Sequence, residues 1–228
     1  MIEFLLLDLD DTILDFYMQE AVAIRKTLLC AGVEPTEENC ALYSKINLRH
    51  WKMLERGEIT REKLIWHRFA ELFEALGVAA DPKETAEKYM KYLSEGHYFL
   101  PGAGNAVKAL AKKYKLYLAS NGTACVQERR IASAGLAPYF EEIFISQNIG
   151  ANKPDKAYFD GCFARIPNFD RRKTMIVGDS ISSDIRGGKN AGIYTCWVNP
   201  KGKTVSPEDQ PDFEIKSITE LEELLETL

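Results

Sequence analysis

Phe4-Leu5-Leu6-Leu7-Asp8-Leu9-Asp10-Asp11-Thr12 is the stretch on which the reading of this chain turns. A short apolar run bounded by acids, here residues 2–9, suits a strand buried on both faces. The pattern then changes. Residues 15–97 read as helical throughout. Ala21, Ile24, Leu28 and Leu29 fall on one helical face, and Gly32 is placed to stop that helix. Thr36 with Glu37 and Glu38 behind it reads as an N-cap with favourable first-turn charge. Leu64, Ile65, Phe69, Leu72, Phe73 and Leu76 form a second stripe, closed by Gly77. Asp81-Pro82-Lys83-Glu84 reads as a capping box with Pro at the first helical position. This stretch therefore predicts a bundle of about four helices.

Beyond Leu100-Pro101-Gly102 helices and strands alternate. Ala106, Val107, Leu110 and Ala111 mark a helix, residues 116–119 a buried strand, and a helix follows through Ile131 and Ala134 to Gly135. Residues 142–145 predict a strand, 155–166 a helix, 174–177 a strand, and 182–191 a helix stopped by Gly192. Residues 194–198 predict another strand, and Phe213 with Ile215 a short last one. Ser217, with Glu220 three residues on, opens a final helix. Such alternation implies an α/β fold, a doubly wound, Rossmann-like parallel sheet. The expected division is a core of residues 1–14 and 99–228, interrupted by an α-helical domain of residues 15–98.

Composition removes several function classes. The 228 residues are 46% hydrophobic, enough for a substantial core, and 28% charged, unlike a disordered chain. The 29 basic and 34 acidic residues leave a net charge of −5, which argues against a nucleic-acid polymer or an acidic membrane surface as partner. It also means that an anionic substrate must be attracted by a local site. No secretory leader or membrane span is legible. The five cysteines are scattered without a CxxC pair, which predicts reduced thiols and a cytoplasmic setting.

In a doubly wound sheet, ligands bind at the carboxyl ends of strands. Four such ends carry polar residues. Alternation puts Asp8 and Asp10 on one side and Asp11 away from them, and paired carboxylates invite a hard divalent ion. Ser120-Asn121-Gly122-Thr123 offers a hydroxyl and backbone amides that can cradle an anion, though it also reads as an ordinary turn. Lys153 precedes Pro154 and is held extended; alone it also reads as a surface lysine. Gly178-Asp179, with Asp184 five residues after Asp179, completes an acidic set or caps a helix.

Taken in this order, Asp8-Leu9-Asp10-Asp11-Thr12, Ser120, Lys153-Pro154, and Gly178-Asp179 with Asp184 resemble the motifs of the haloacid dehalogenase superfamily of phosphohydrolases. The resemblance covers nearly the whole chain, and the helical insertion stands where that superfamily carries its α-helical cap. It implies Asp8 as nucleophile, Asp10 as general acid and base, and Mg²⁺ held by Asp8, the Asp10 carbonyl and Asp179. It implies Ser120, the Asn121 amide and Lys153 as phosphate ligands, Asp184 as support for Lys153 or a metal-bound water, and Thr12 as support for the loop.

Many members have Gly where Asp11 stands. An acid there, with Trp51, Gly57-Glu58-Ile59-Thr60, His67-Arg68-Phe69, Gly187-Gly188 and Thr195-Cys196-Trp197-Val198-Asn199, resembles the house-cleaning pyrimidine 5′-nucleotidases. The implied substrate is a small phosphomonoester, a nucleoside monophosphate, over which the cap closes. His67 and Arg68 are candidate substrate contacts and Trp51 and Trp66 candidate stacking platforms, although packing explains all four. A phosphatase for another phosphometabolite, a phosphomutase, a dehalogenase and a non-catalytic regulator are the alternatives. Dehalogenation needs neither the second acid nor Mg²⁺. The sequence leaves monomer and homodimer open.

Overall fold

The structure, a computed structural model, describes residues 1–228. Contacts divide it into two compact units, Met1–Phe16 with His97–Leu228, and Tyr17–Gly96.

The first unit is built on a sheet that opens with β1 (Phe4–Leu7), whose four residues are all buried. Leu5 and Leu7 enter one apolar cluster and Phe4 and Leu6 another, so the run is apolar because both faces of the strand are covered. The chain then passes through α1 (Phe16–Cys30), α2 (Glu37–Glu55), α3 (Arg61–Leu76) and α4 (Pro82–Ser94). It resumes the first unit with α5 (Ala103–Leu110), β2 (Lys115–Ser120), α6 (Ala124–Ser133), β3 (Glu142–Ile145), α7 (Ser146–Ile149) and α8 (Lys156–Phe163). The remaining elements are β4 (Thr174–Gly178), α9 (Arg186–Ala191), β5 (Tyr194–Val198), β6 (Phe213–Ile215) and α10 (Leu221–Glu226). All strand pairs are parallel, in the order β3-β2-β1-β4-β5-β6. The chain winds outward from β1 to β3, then returns to the other side of β1. The β1/β4 pair is therefore the switch point of a doubly wound sheet.

Within the helical unit the expected caps form. Thr36 Oγ1 accepts from the Asn39 amide at 3.2 Å. Asp81 Oδ1 accepts from Lys83 and Glu84, with Pro82 at the first helical position. The face assigned to α1 is corrected. Ala21 is exposed and Leu29 is 64% exposed, whereas Gln19, Glu20, Ala23, Ile24, Thr27 and Leu28 are buried. Hydrophobicity misplaces the face because Glu20 is satisfied inside the bundle, accepting from Ser44 at 2.7 Å and Asn47 at 2.6 Å.

The helix expected at 182–191 also differs. A π-helical turn, Ile181–Ile185, precedes α9. Its wider loop lets the Asp184 carboxylate fold back and accept from the Ser180 amide at 3.0 Å. Farther on, α9 lies close against the sheet. A Cβ on Gly188 would meet Ile176 Cγ2 at 2.5 Å and Thr195 Cγ2 at 2.6 Å, so only Gly fits there. No helix is long and apolar enough to cross a membrane.

Candidate active site

β1 and β4 run in register, Leu7 opposite Val177, and the Asp8 amide donates to the Val177 carbonyl at 2.9 Å. The first acid thus leaves β1 beside Gly178-Asp179. β2, on the other flank of β1, delivers Ser120 to the same end of the sheet.

Lys153 ties these ends together. Its ammonium is 1% exposed and donates to Asp8 Oδ1, Asp184 Oδ1 and the Ala119 carbonyl, each at 2.6 Å. All three of its donors are used. Asn121 fixes the lysine's backbone from both sides: its Oδ1 accepts from the Lys153 amide and its Nδ2 donates to the Lys153 carbonyl, both at 2.8 Å. Sequence reasoning assigned Asn121 only a backbone role; this side-chain clamp was missed.

Asp8, Asp179 and Asp184 each place a carboxylate oxygen within 4.8 Å of the others. Burial pushes the Asp8 carboxyl well above its ordinary value against the pull of Lys153, with Asp184, Asp179 and Asp10 adding to the rise. Burial, then the charges of Asp184 and Asp11, raise Asp179 to about 8. Burial pulls the Lys153 ammonium down, but Asp184 and Asp8 outweigh it and leave it above its usual value. Fully ionised, three carboxylates against one ammonium would leave two negative charges in a mostly dry corner, and the raised Asp8 and Asp179 carboxyls reflect that excess. A hard divalent cation with oxygen ligands fits that donor set and that deficit.

Gly178 makes the arrangement possible. A Cβ there would sit 2.2 Å from Asp184 Oδ2 and 2.3 Å from its Cγ. The carboxylate packs directly over the glycine's backbone, where any side chain would displace it.

Asp10 stands beyond the end of the strand that leads to Asp8. β1 ends at Leu7, so strand alternation does not extend to this residue. Its carboxylate lies outside the three-acid group and is taken by α6: Arg130 Nη1 donates to Oδ1, and Gln127 Nε2 donates to Oδ2 at 2.7 Å. Asp11 lies in the left-handed region at φ 57°, which explains why Gly suits this position. Its Oδ1 accepts from the Phe16 amide at 3.0 Å, and burial with the Asp10 charge raises its carboxyl to about 7. Asp11 was expected to lie clear of the acidic site; its carboxylate is outside the three-acid group, and its charge adds to the rise of Asp179.

The Thr12 hydroxyl is buried with no protein hydrogen-bond partner. Ser120 Oγ accepts from the Gly122 amide at 3.0 Å and from Gln127 Nε2 at 2.8 Å. Gln127 and Arg130 escaped sequence reasoning. Arg130 sits in a Glu-Arg-Arg run that reads as a solvated helix face, yet it is fully buried. The available signal was its spacing of three from Gln127 and of four from the buried Val126.

Among the candidates in the helical unit, Arg68 is consumed internally. It is 2% exposed, donates to Asn47 Oδ1 at 2.7 Å and lies 4.8 Å from the Tyr89 ring centre. His67 Nδ1 is 3.2 Å from His50 Nε2. Trp51 lies under Arg61 and Trp66 under Lys83.

Three comparisons bear on this geometry. Residues 5–198 match the model of the haloacid dehalogenase-like hydrolase family. Pyrimidine 5′-nucleotidase PynA of Streptococcus pneumoniae is 37% identical over 98% of this chain and 95% of its own length. Pyrimidine 5′-nucleotidase YjjG of Escherichia coli is 31% identical over 98% and 97%. The solved structure of the HAD-hydrolase YfnB of Bacillus subtilis, described as bound to magnesium, superposes with a TM-score of 0.93 at 39% identity, covering 98% of each chain. With a family match over most of its length, relatives above 30% identity across nearly all of it, and the acids of β1 and β4 meeting at the switch point, the chain belongs to the haloacid dehalogenase-like hydrolase family, as a phosphohydrolase.

Proposed function

We propose that the protein is a Mg²⁺-dependent 5′-nucleotidase that hydrolyses nucleoside monophosphates, pyrimidine ones above all, through a phosphoryl-Asp8 intermediate. The observation that carries this reading is the Asp8 carboxylate, held by a buried lysine at the switch point with Asp179 and Asp184 beside it. The substrate class rests on the likeness to the two pyrimidine 5′-nucleotidases.

In this reading Asp8 Oδ attacks phosphorus as the bond to the leaving oxygen breaks. Asp10 gives that oxygen its proton, then takes one from the water that cleaves the phosphorus–Asp8 bond. Ser120, the Asn121 amide and Lys153 meet the phosphoryl oxygens. Asp184 keeps Lys153 in place, and Thr12 packs under the loop. Asp8, Asp179 and the Asp10 carbonyl would hold Mg²⁺, which when bound offsets the repulsion between carboxylate and phosphate. Residues 17–96 serve as the cap. Five free cysteines favour a reducing, cytoplasmic setting.

The test is phosphate release from UMP, dUMP, dTMP, purine nucleotides, sugar phosphates and phosphoglycolate, with and without Mg²⁺. Pyrimidine monophosphates should lead, and Asp8→Asn should abolish turnover in a folded protein. Equal rates across the panel would sink the nucleotidase reading; an active Asp8→Asn would sink the nucleophile. Isomerised sugar phosphate without net phosphate release would favour a mutase.

A further inference from the structure

Gln127 and Arg130 lie on one face of α6, 1% and 0% exposed. Gln127 Nε2 donates to Asp10 Oδ2 at 2.7 Å and to Ser120 Oγ at 2.8 Å, while its Oε1 accepts from Arg130 Nη1 at 2.8 Å. This amide has one workable orientation. Flipped, its NH₂ would face the guanidinium and its oxygen would face a carboxylate.

The consequence falls on Ser120. A hydroxyl has two acceptor lone pairs and one hydrogen. Both lone pairs are taken, by the Gly122 amide at 3.0 Å and by Gln127. The hydrogen is left as a donor. Ser120 ends β2 beside the strand that carries Asp8.

Arg130 is a costly way to fill a helix face. Its Nε and Nη2 are buried without a protein partner, and burying unpaired donors is unfavourable. A leucine would fill that face without buried unpaired donors; the hydrogen bonds the guanidinium does make are those of Nη1 to Asp10 and Gln127. We propose that Gln127, its amide locked by Arg130, is a positioning residue that leaves the Ser120 hydroxyl able only to donate, toward the transferring phosphoryl group, and steadies the Asp10 carboxylate beside it. The inference rests on the phosphatase reading above.

The test compares the whole native protein with Gln127→Glu and Gln127→Leu, using UMP and p-nitrophenyl phosphate with Mg²⁺. Gln127→Glu keeps the shape and the pairing with Arg130 but turns a donor into an acceptor. The Ser120 proton is then drawn inward and Asp10 meets a second carboxylate. Losing one aimed donor typically costs about 10²-fold in kcat. Both variants should show a loss of that order with KM within about threefold, and orthovanadate, a mimic of the five-coordinate state, should inhibit about tenfold more weakly. Because the effect passes largely through Ser120, Gln127→Leu should cost about tenfold less in a Ser120→Ala background than in the native one. A merely structural role predicts additive losses and a lowered melting temperature. Additive losses, a Gln127→Glu kcat within about threefold of native, or a change in KM alone would overturn the inference. A native protein that releases phosphate from neither substrate refutes the phosphatase reading and the inference with it, whereas insensitive variants of an active enzyme refute the inference alone.

Discussion

Lys153→Met isolates what the buried ammonium does for the fold. Methionine is unbranched, apolar and adaptable, so the channel through which the lysine runs stays filled. What disappears is one positive charge and three hydrogen bonds of 2.6 Å, to Asp8, Asp184 and the Ala119 carbonyl. Asp184 is 1% and Asp8 7% exposed, so neither can recover its solvation. Removing one partner of a buried pair costs about 3–5 kcal/mol, a large part of the ~5–15 kcal/mol that stabilises a domain. The loss should depend on pH in a definite direction. Burial already raises the Asp8 carboxyl against the pull of Lys153, so removing the lysine raises it further, and the folded variant binds a proton that the unfolded chain does not. Stability then falls as pH rises above the unfolded value of ~4. Urea unfolding in EDTA should therefore show a deficit of about 3–5 kcal/mol at pH 8, less than half of it at pH 5, and turnover should drop by at least about 10². A deficit under about 1 kcal/mol at pH 8, or one equal at both pH values, would refute the claim that Lys153 compensates buried carboxylates.

In the metal-free native protein, Asp179 near 8 and Asp11 near 7 hold protons that the unfolded chain has released, so stability should decline from pH 5 to pH 8. Each group contributes at most about 1.4 kcal/mol per pH unit. Mg²⁺ favours the carboxylate forms, so the rise in melting temperature on adding it should grow with pH; a flat or shrinking increment contradicts the acid cluster as its site. Gly178→Ala drives a methyl group into Asp184, which Lys153 and the Ser180 amide hold in place. We expect about 1–3 kcal/mol of destabilisation and roughly a 10²-fold loss of kcat, read by thermal melting and phosphate release. A variant with native values of both would show that Asp184 moves freely.

The legible parts of the molecule were those in which each residue reports its own environment. Phe4 to Leu7 is apolar because both faces of β1 are covered, and the Asp81-Pro82 cap is local chemistry. The polar ends of β1, β2 and β4 were visible for the same reason, whereas Lys153, expected at a strand end, lies past β3 in the turn that follows α7. What stayed hidden depends on partners far along the chain. Glu20 looks like a surface residue until Ser44 and Asn47 are brought to it. Arg130 looks like part of a charge run until Asp10, 120 residues earlier, is placed against it. The alternation argument for Asp10 and Asp11 reaches past a boundary: it applies to a strand, and the strand ends at Leu7, immediately before Asp8. No periodicity in the sequence marks that point.

Charge counting links the acidic composition to an anionic substrate. The chain carries −5 overall, and Asp8, Asp179 and Asp184 gather three of its acids around Lys153. The lysine cannot attract a phosphate by itself, because its three donors are already committed to two carboxylates and a carbonyl. With all three acids ionised the corner would be net −2 and would repel a dianion; without metal it relieves that charge by holding protons. A divalent cation brings it to zero, and only then does Lys153 act on phosphate as a positive group rather than as the counter-ion of its own neighbours. Ion and substrate are thus coupled by electrostatics, and an acidic protein can use an acidic cluster to receive an anion.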